Sequence, residues 1–153
     1  YHPYDFMKEN KMKRNASALW QGGQKDGNGR VSTESGVLTE ARYGFSTRFE
    51  NEAGTNPEEL IAAAHASCFA MALSGQIGAA QLTAESIAVK ATVSLDKLDT
   101  GWVVTEIHLD VTARIPGADA AKFMTAAHNA KEGCPISRLL GAAAKITMDA
   151  RLV

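Results

Sequence analysis

Two cysteines are the side chains in this chain whose type offers covalent chemistry. Cys68 and Cys134 are the only cysteines among 153 residues. Neither lies in a CxxC pair or in a Cys/His spacing typical of zinc, so a thioredoxin-type redox motif and a zinc site are both excluded. In its thiolate form either residue could act as a nucleophile. The alternative for Cys68 is that it is a small apolar residue filling a core.

A histidine close to the first cysteine suggests a second kind of chemistry. His65 precedes Cys68 by three residues, so in a helix the two side chains lie on neighbouring faces. This arrangement would suit a Cys/His hydrolase, which is one alternative. We favour the other interpretation, in which His65 is a core histidine hydrogen-bonded to the surrounding structure.

The stretch from Pro57 to Leu73 predicts one buried helix that carries Cys68. Asn56 is a good N-cap, proline suits the first helical position, and Glu59 completes a capping box. Beyond its first turn the stretch has only two polar side chains, so no face is left for water. We therefore expect the helix to run through a core and to end or bend between Gly75 and Gly78.

The remaining patterns place strands and shorter helices on both sides of this helix. Alternation of apolar and polar residues predicts strands over residues 16–20, 30–35, 42–49, 86–96, 103–115 and 144–152. Two further helices are predicted, over residues 119–131 and from Pro135 onward. This order indicates an α+β fold with antiparallel sheets. Because two small sheets can hardly cover a helix that is apolar all round, we expect a second subunit.

Composition limits the classes of partner. With 16 Lys and Arg against 17 Asp and Glu, the chain has no electrostatic basis for binding nucleic acid or an anionic membrane. Its longest apolar run, about 14 residues, is shorter than a membrane-spanning helix needs. We expect a soluble, cytoplasmic protein. Residues 1–11 lack periodicity and are expected to be an extension outside the fold, which leaves residues 12–153 as a single domain.

Several motifs resemble those of one family. They are Thr-Asn-Pro-Glu-Glu-Leu at 55–60, His-Ala-Ser-Cys-Phe at 65–69 and Gly-Cys-Pro at 133–135, together with the stretches 31–36, 43–49 and 93–97. Taken together they resemble the OsmC/Ohr family of thiol peroxidases, and its OsmC branch more than its Ohr branch. The resemblance covers the chain from about residue 15 to its end.

The resemblance implies a fold, an activity and a site. It implies an OsmC-like fold in which antiparallel sheets wrap long central helices in an intertwined homodimer. It also implies a cofactor-free hydroperoxide reductase of stress defence, reduced by a dithiol such as dihydrolipoamide carried on a protein. Cys68 would be the peroxidatic cysteine and Cys134 the resolving cysteine, while Arg48 and Glu58 would polarise the thiolate. An apolar pocket wall would favour organic hydroperoxides over hydrogen peroxide.

The predicted helix constrains how these four residues act. Cys68 lies about 15 Å from the helix start, too far to gain from the helix dipole, so a cation such as Arg48 must stabilise its thiolate. Glu58 lies equally far from Cys68 along the same helix. We therefore hypothesise that each site takes Arg48 and Glu58 from one subunit and Cys68 with Cys134 from the other. The alternatives are an exposed strand arginine and a glutamate that only complements the helix dipole.

A function of another class also fits the sequence. A homodimer could use an apolar interface pocket as a ligand-binding module without turning over peroxide. In that case the replacement of Cys68 by serine would preserve function.

Overall fold

The computed structural model describes residues 11–153, which divide into two compact units, with the boundary between Asn56 and Pro57. We describe each unit by itself. The extension predicted for residues 1–11 lies outside the described residues except for Lys11. The single domain over residues 12–153 stays a prediction.

The first unit is built around a small antiparallel sheet. Its elements are β1 (Ala16–Gln21), β2 (Asn28–Thr33), β3 (Ala41–Tyr43) and the short helix α1 (Phe45–Phe49). The strand order is β1-β2-β3, with both pairs antiparallel. Gly29 pairs with Tyr43, and a Cβ on this glycine would clash with the tyrosine ring. Only glycine therefore lets the ring lie across the sheet at this point.

The strand predicted over residues 42–49 is wrong in its second half. β3 ends at Tyr43, and residues 45–49 form α1 instead. The Thr47 side chain accepts a hydrogen bond from the Gly44 backbone N–H at 2.8 Å, which caps the first turn of the helix. The rings of Phe45 and Phe49 pack at 4.9 Å between centroids. A spacing of four residues puts two side chains on one face in either a strand or a helix, so alternation alone could not decide.

The second unit contains the cysteines. Its elements are α2 (Pro57–Ala79), β4 (Ser86–Leu98), β5 (Gly101–Arg114), α3 (Ala120–Gly133), α4 (Pro135–Leu140) and β6 (Lys145–Leu152). The α+β class is confirmed. β4 and β5 are antiparallel, as predicted, but β6 pairs with β5 in parallel, so this sheet is mixed rather than antiparallel. The reason is that α3 and α4 return the chain to the starting end of β5.

The long hairpin of β4 and β5 contains a β-bulge. Ser94 pairs with Glu106, but the next residue pairs with Val104, so Thr105 is the extra residue on β5. Its hydroxyl donates a hydrogen bond to the Asp96 carboxylate. Beyond the bulge, alternate residues of β5 are fully buried, namely Ile107, Leu109, Val111 and Ala113, and Ile115 just after the strand is almost fully buried. This face of the sheet supports α2 and α3.

The central helix differs from its prediction in two ways. First, α2 continues through Gly75 and Gly78 and ends at Ala79. It ends there because Gln81 adopts a left-handed conformation and the Leu82 N–H donates a hydrogen bond of 3.1 Å to the Ile77 carbonyl. In the part of the chain that the structure describes, one stripe of α2 is buried, namely His65, Phe69, Leu73 and Ile77. The opposite face is open, and Met71 on it is 77% exposed.

By length and hydropathy α2 would also suit a membrane crossing. Its buried stripe packs against β5 and α3, however, with Phe69 and Phe123 at the centre. One face of this helix therefore contributes to the core of the second unit.

Candidate active site

The fold brings the two cysteines together although 66 residues separate them. The Cys68 and Cys134 sulfurs lie 2.8 Å apart and share a hydrogen bond, and both thiols are free. Cys134 is completely buried, whereas Cys68 is partly exposed. A reagent from solvent therefore meets Cys68 first, and Cys134 lies directly behind it.

Local chemistry explains the position of Cys134. It ends α3 and begins α4, with φ −55° and ψ 124°. This extended geometry is the one that a residue before proline prefers, and Pro135 occupies the first position of α4. The predicted break between two helices at this cysteine is confirmed. At this break the Cys134 side chain faces α2, where Cys68 lies.

The pKa values of the two thiols move in opposite directions. Burial raises the pKa of Cys68, the hydrogen bond with Cys134 raises it further, and only the Ile136 backbone N–H lowers it. Burial also acts to raise the pKa of Cys134, but hydrogen bonds from Cys68, Ser137 and the Ile136 backbone outweigh it and lower that pKa below its ordinary value. Either sulfur can carry the shared hydrogen, and these directions favour a Cys68 thiol that donates to Cys134.

His65 is a core histidine rather than a partner of Cys68. Its Nε2 lies 2.7 Å from the Ser137 Oγ, and both side chains are buried. Nδ1 has no hydrogen-bond partner among the described residues. The preferred interpretation of His65 is confirmed, and no Cys/His hydrogen bond of the kind a hydrolase needs is formed with Cys68.

Ser137 is a polar residue at this site that sequence analysis missed. It lies in the first turn of α4, and it is among the groups that lower the pKa of Cys134. Its position three residues after a helix-starting cysteine was the available signal, since a side chain there faces the cap. Its second partner, His65, lies 72 residues away and left no trace in the local sequence.

Arg48 and Glu58 lie in different units. Arg48 is exposed on α1, not on a strand, and its guanidinium carbon lies 5.3 Å from the centre of the Phe49 ring. Glu58 lies in the first turn of α2. Ten residues of helix put it about 15 Å along the axis from Cys68. Within Pro57–Val153, Glu58 therefore does not join the cysteine pair.

The residues described here offer no assembled metal site. Within 11–153, no group of three or more His, Cys, Asp or Glu side chains is arranged to hold an ion. The reactive groups at this site are thus the two thiols and the hydrogen bonds around them.

This pair of thiols lies in the segment that matches a known family. Residues 49–149 match the family model described as OsmC-like protein. The chain belongs to the OsmC-like family. It is 52% identical to the Peroxiredoxin OsmC of Escherichia coli over 139 residues, which cover 91% of this chain and 96% of that protein.

More distant members of the family agree with this assignment. The chain is 30% identical to the organic hydroperoxide resistance protein OhrB of Bacillus subtilis, over 72% of this chain and 79% of that protein. A crystal structure of an organic hydroperoxide resistance protein from Elizabethkingia anophelis superposes with a TM-score of 0.72 at 25% identity. That superposition covers 94% of this chain and 99% of the other. The OsmC-like fold is confirmed.

Proposed function

We propose that this OsmC-like protein reduces hydroperoxides with Cys68 as the attacking thiol and Cys134 as the resolving thiol. The observation that carries the proposal is the pair of free sulfurs 2.8 Å apart, one partly exposed and the other fully buried. The access of solvent to only one thiol supports this division of roles. No cofactor takes part, because the two thiols supply both electrons.

The class of activity follows from the relatives. A chain that is 52% identical to a Peroxiredoxin OsmC over nearly its whole length, and related to organic hydroperoxide resistance proteins, is a thiol-dependent hydroperoxide reductase of stress defence. The roles of its individual residues are our proposal.

The proposed reaction has two chemical steps. The Cys68 thiolate attacks the terminal peroxide oxygen, the O–O bond breaks, and the alcohol leaves with one proton while Cys68 becomes a sulfenic acid. The Cys134 thiolate then attacks the Cys68 sulfur, the S–O bond breaks, and hydroxide leaves as water after taking up a proton. The product is a Cys68–Cys134 disulfide. A dithiol reductant returns both thiols by thiol–disulfide exchange.

The first step needs a cation that the cysteine-containing unit does not supply. Within Pro57–Val153, burial raises the pKa of Cys68, and no positive charge opposes it. Arg48 is the proposed cation, because its rigid guanidinium fork can hold a thiolate and the Glu58 carboxylate together. Since Glu58 lies too far along α2 from Cys68 in its own chain, we propose that Arg48 and Glu58 come from the other subunit of a homodimer.

The open face of α2 supports the proposed dimer. Small and apolar side chains line it, namely Ala64, Ser67, Met71, Gly75 and Gly78. A Cβ added to either glycine would meet no atom within 4 Å in the described chain. Glycine at both positions costs helix stability, and close approach of a second helix gives a reason to keep it.

We further propose the substrate, the reductant and the compartment. Organic hydroperoxides are the preferred substrates, consistent with the names of the organic hydroperoxide resistance relatives. Apolar neighbours of Cys68, such as Phe69 and Ala72, suit an alkyl group better than water. A dithiol such as dihydrolipoamide, carried on a protein, is the proposed reductant, and the cytoplasm is the proposed compartment.

Turnover of cumene hydroperoxide with dihydrolipoamide tests the proposal. Cys68→Ser should abolish turnover, and Cys134→Ser should reduce it by at least an order of magnitude because no disulfide forms. Ser86→Ala, which changes an exposed serine at the start of β4, is the matched control and should keep wild-type turnover. If folded Cys68→Ser retained full turnover, the assignment of Cys68 as the attacking thiol would fail. If folded wild type showed no turnover, the ligand-binding alternative would be favoured.

A further inference from the structure

Two hydrogen bonds join the short helix α4 to the central helix α2 at neighbouring positions. One joins the sulfurs of Cys134 and Cys68 at 2.8 Å. The other joins the Ser137 hydroxyl to Nε2 of His65 at 2.7 Å. The two contacts are three residues apart along each helix, so they lie side by side. The two-step reaction uses the first contact and gives no role to the second.

The contact between His65 and Ser137 is buried, and its direction can be assigned. His65 is 0% exposed and Ser137 is 4% exposed. A neutral imidazole carries one hydrogen, on either Nδ1 or Nε2. Among the described residues Nδ1 has no hydrogen-bond partner, whereas Nε2 has the serine oxygen. A buried N–H without an acceptor is rarer than an acceptor without a donor, so the hydrogen lies on Nε2 and His65 donates to Ser137.

The backbone makes the position of the Cys134 sulfur depend on that of α4. The Cys134 N–H donates to the Ala130 carbonyl near the end of α3, and the Cys134 carbonyl accepts from the Arg138 N–H in α4. Cys134 is therefore the joint between a helix packed in the core and a helix of six residues. Rotation about its N–Cα bond would move its side chain and α4 together. A hydrogen bond that holds α4 against α2 therefore also holds this sulfur.

α4 is too short to keep its position without such contacts. Its six residues are fewer than the roughly 12 at which an isolated helix becomes even marginally stable in water. Of its apolar side chains, Ile136 packs against the core, whereas Leu139 is exposed. The bond from Ser137 to His65 gives α4 a further point of attachment to α2.

We infer that the hydrogen bond between His65 and Ser137 acts as a clamp, which keeps Cys134 against Cys68 while the disulfide forms. His65 and Ser137 are then positioning residues for the resolving step, and this role rests on the proposed function. Oxidation of Cys68 ends the thiol–thiol hydrogen bond, whereas the clamp involves neither sulfur and persists. The Cys134 thiolate attacks the Cys68 sulfur, the S–S bond forms, the S–O bond breaks, and hydroxide leaves as water after taking up a proton.

Replacement of both partners removes the clamp with the least damage to the fold. His65→Leu/Ser137→Ala leaves neither partner buried without the other, whereas a single replacement would leave one of them unpaired. His65→Gln retains an N–H donor and should keep the clamp. The matched control is His128→Gln/Ser86→Ala, which changes an exposed histidine and an exposed serine.

The first measurement needs no peroxide. It is the equilibrium between the dithiol and the Cys68–Cys134 disulfide in a glutathione redox buffer. Because the clamp orders α4 before the disulfide forms, its loss should lower the equilibrium constant for disulfide formation about fivefold, the net effect of one hydrogen bond. His65→Gln and the control should keep the wild-type constant. An unchanged or raised constant in the folded double variant would overturn the inference.

The second measurement isolates the resolving step. After one equivalent of cumene hydroperoxide, quenching and mass analysis follow the conversion of the Cys68 sulfenic acid to the disulfide at several pH values. At high pH, where Cys134 is fully ionised, the rate reaches a plateau that no longer depends on its pKa. Loss of the clamp should lower this plateau about fivefold. A profile that moved along the pH axis with an unchanged plateau would overturn the inference, because it would show an effect on ionisation alone.

Excess hydroperoxide provides a readout of the same step. A sulfenic acid that waits longer for Cys134 is oxidised further to sulfinic acid. The double variant should therefore gain the mass of two oxygens at about one fifth of the peroxide concentration that wild type needs. If peroxide oxidised no thiol in wild type, the proposed function would fail, and the glutathione equilibrium would still decide whether the clamp exists. If the double variant formed its disulfide at the wild-type plateau rate, the clamp would fail and the proposed function would stand.

Discussion

At the scale of residues, the two cysteines differ in solvent exposure and in pKa. The more exposed thiol has the raised pKa, and the buried thiol has the lowered pKa. Cys68 can be reached from solvent, but burial and Cys134 raise its pKa. Cys134 is buried, but its hydrogen bonds lower its pKa. Cys134, the proposed resolving thiol, thus has a lowered pKa within one chain. Cys68, the proposed peroxidatic thiol, would need a positive charge from elsewhere, which is the physical argument for proposing Arg48.

His65 should make the stability of the protein depend on pH. Burial lowers its pKa below the ordinary value. The unfolded chain therefore binds a proton more readily than the folded one once the pH falls toward about 6.5, and stability falls as acidification continues toward the lowered pKa. One such group contributes a slope of at most about 1.4 kcal/mol per pH unit.

Urea unfolding at several pH values between neutral and mildly acidic checks this expectation. His65→Gln should flatten the dependence, because glutamine does not titrate. His128→Gln, which removes an exposed histidine of α3, is the control and should keep the wild-type slope. Equal slopes in wild type and His65→Gln would contradict the assignment of a neutral, buried His65.

At the scale of elements, α2 has two faces with different tasks. The stripe of Phe69, Leu73 and Ile77 is buried against β5 and α3. The face that carries Met71 is open within the chain. The first face stabilises the chain, and we propose that the second joins two chains.

Truncation on each face should separate these tasks. Phe69→Ala leaves a cavity at the centre of the core and should lower the free energy of unfolding by about 3–5 kcal/mol, a large part of the stability of a typical domain. Met71→Ala should instead leave dissociated subunits almost as stable as before and weaken their association. Chemical denaturation and sedimentation as a function of protein concentration measure the two effects. Equal losses of subunit stability in both variants would contradict this division.

Some helices could be predicted because residues at or next to their first turn determine where they begin. Pro57, Asp119 and Pro135 each start a helix by chemistry that lies within a few residues, and the structure begins those helices there. α1 was missed because a spacing of four between Phe45 and Phe49 suits both strand and helix. The parallel pairing of β6 was missed because direction is fixed by the path of the whole chain.

The candidate site also has features that the sequence indicated and features that only the fold revealed. Resemblance drew attention to both cysteines, but their spacing of 66 residues contained no information that the sulfurs meet. Ser137 escaped notice because the side chain that it contacts, His65, lies 72 residues away in the sequence. Local sequence thus identified the reactive groups, and only the fold supplied what surrounds them.

At the scale of the whole molecule, the proposed site requires two subunits. Mixed dimers test this directly. A dimer that combines an Arg48→Met chain with a Cys68→Ser chain has one complete site if Arg48 acts across the interface, because each chain supplies what the other lacks. It should show about half of the wild-type turnover, while both parent homodimers are inactive. If each site lay within one chain, the mixed dimer would be as inactive as its parents.

The central claim is that Cys68 and Cys134 are oxidised together by a hydroperoxide. Its most direct test is thiol titration with intact mass measurement after one equivalent of cumene hydroperoxide, for wild type, Cys68→Ser and Cys134→Ser. Wild type should lose both thiols and the mass of two hydrogens as the disulfide forms. Cys134→Ser should stop at a sulfenic acid that a trapping reagent captures, and Cys68→Ser should not react. Folded wild type with two unchanged thiols would contradict the account.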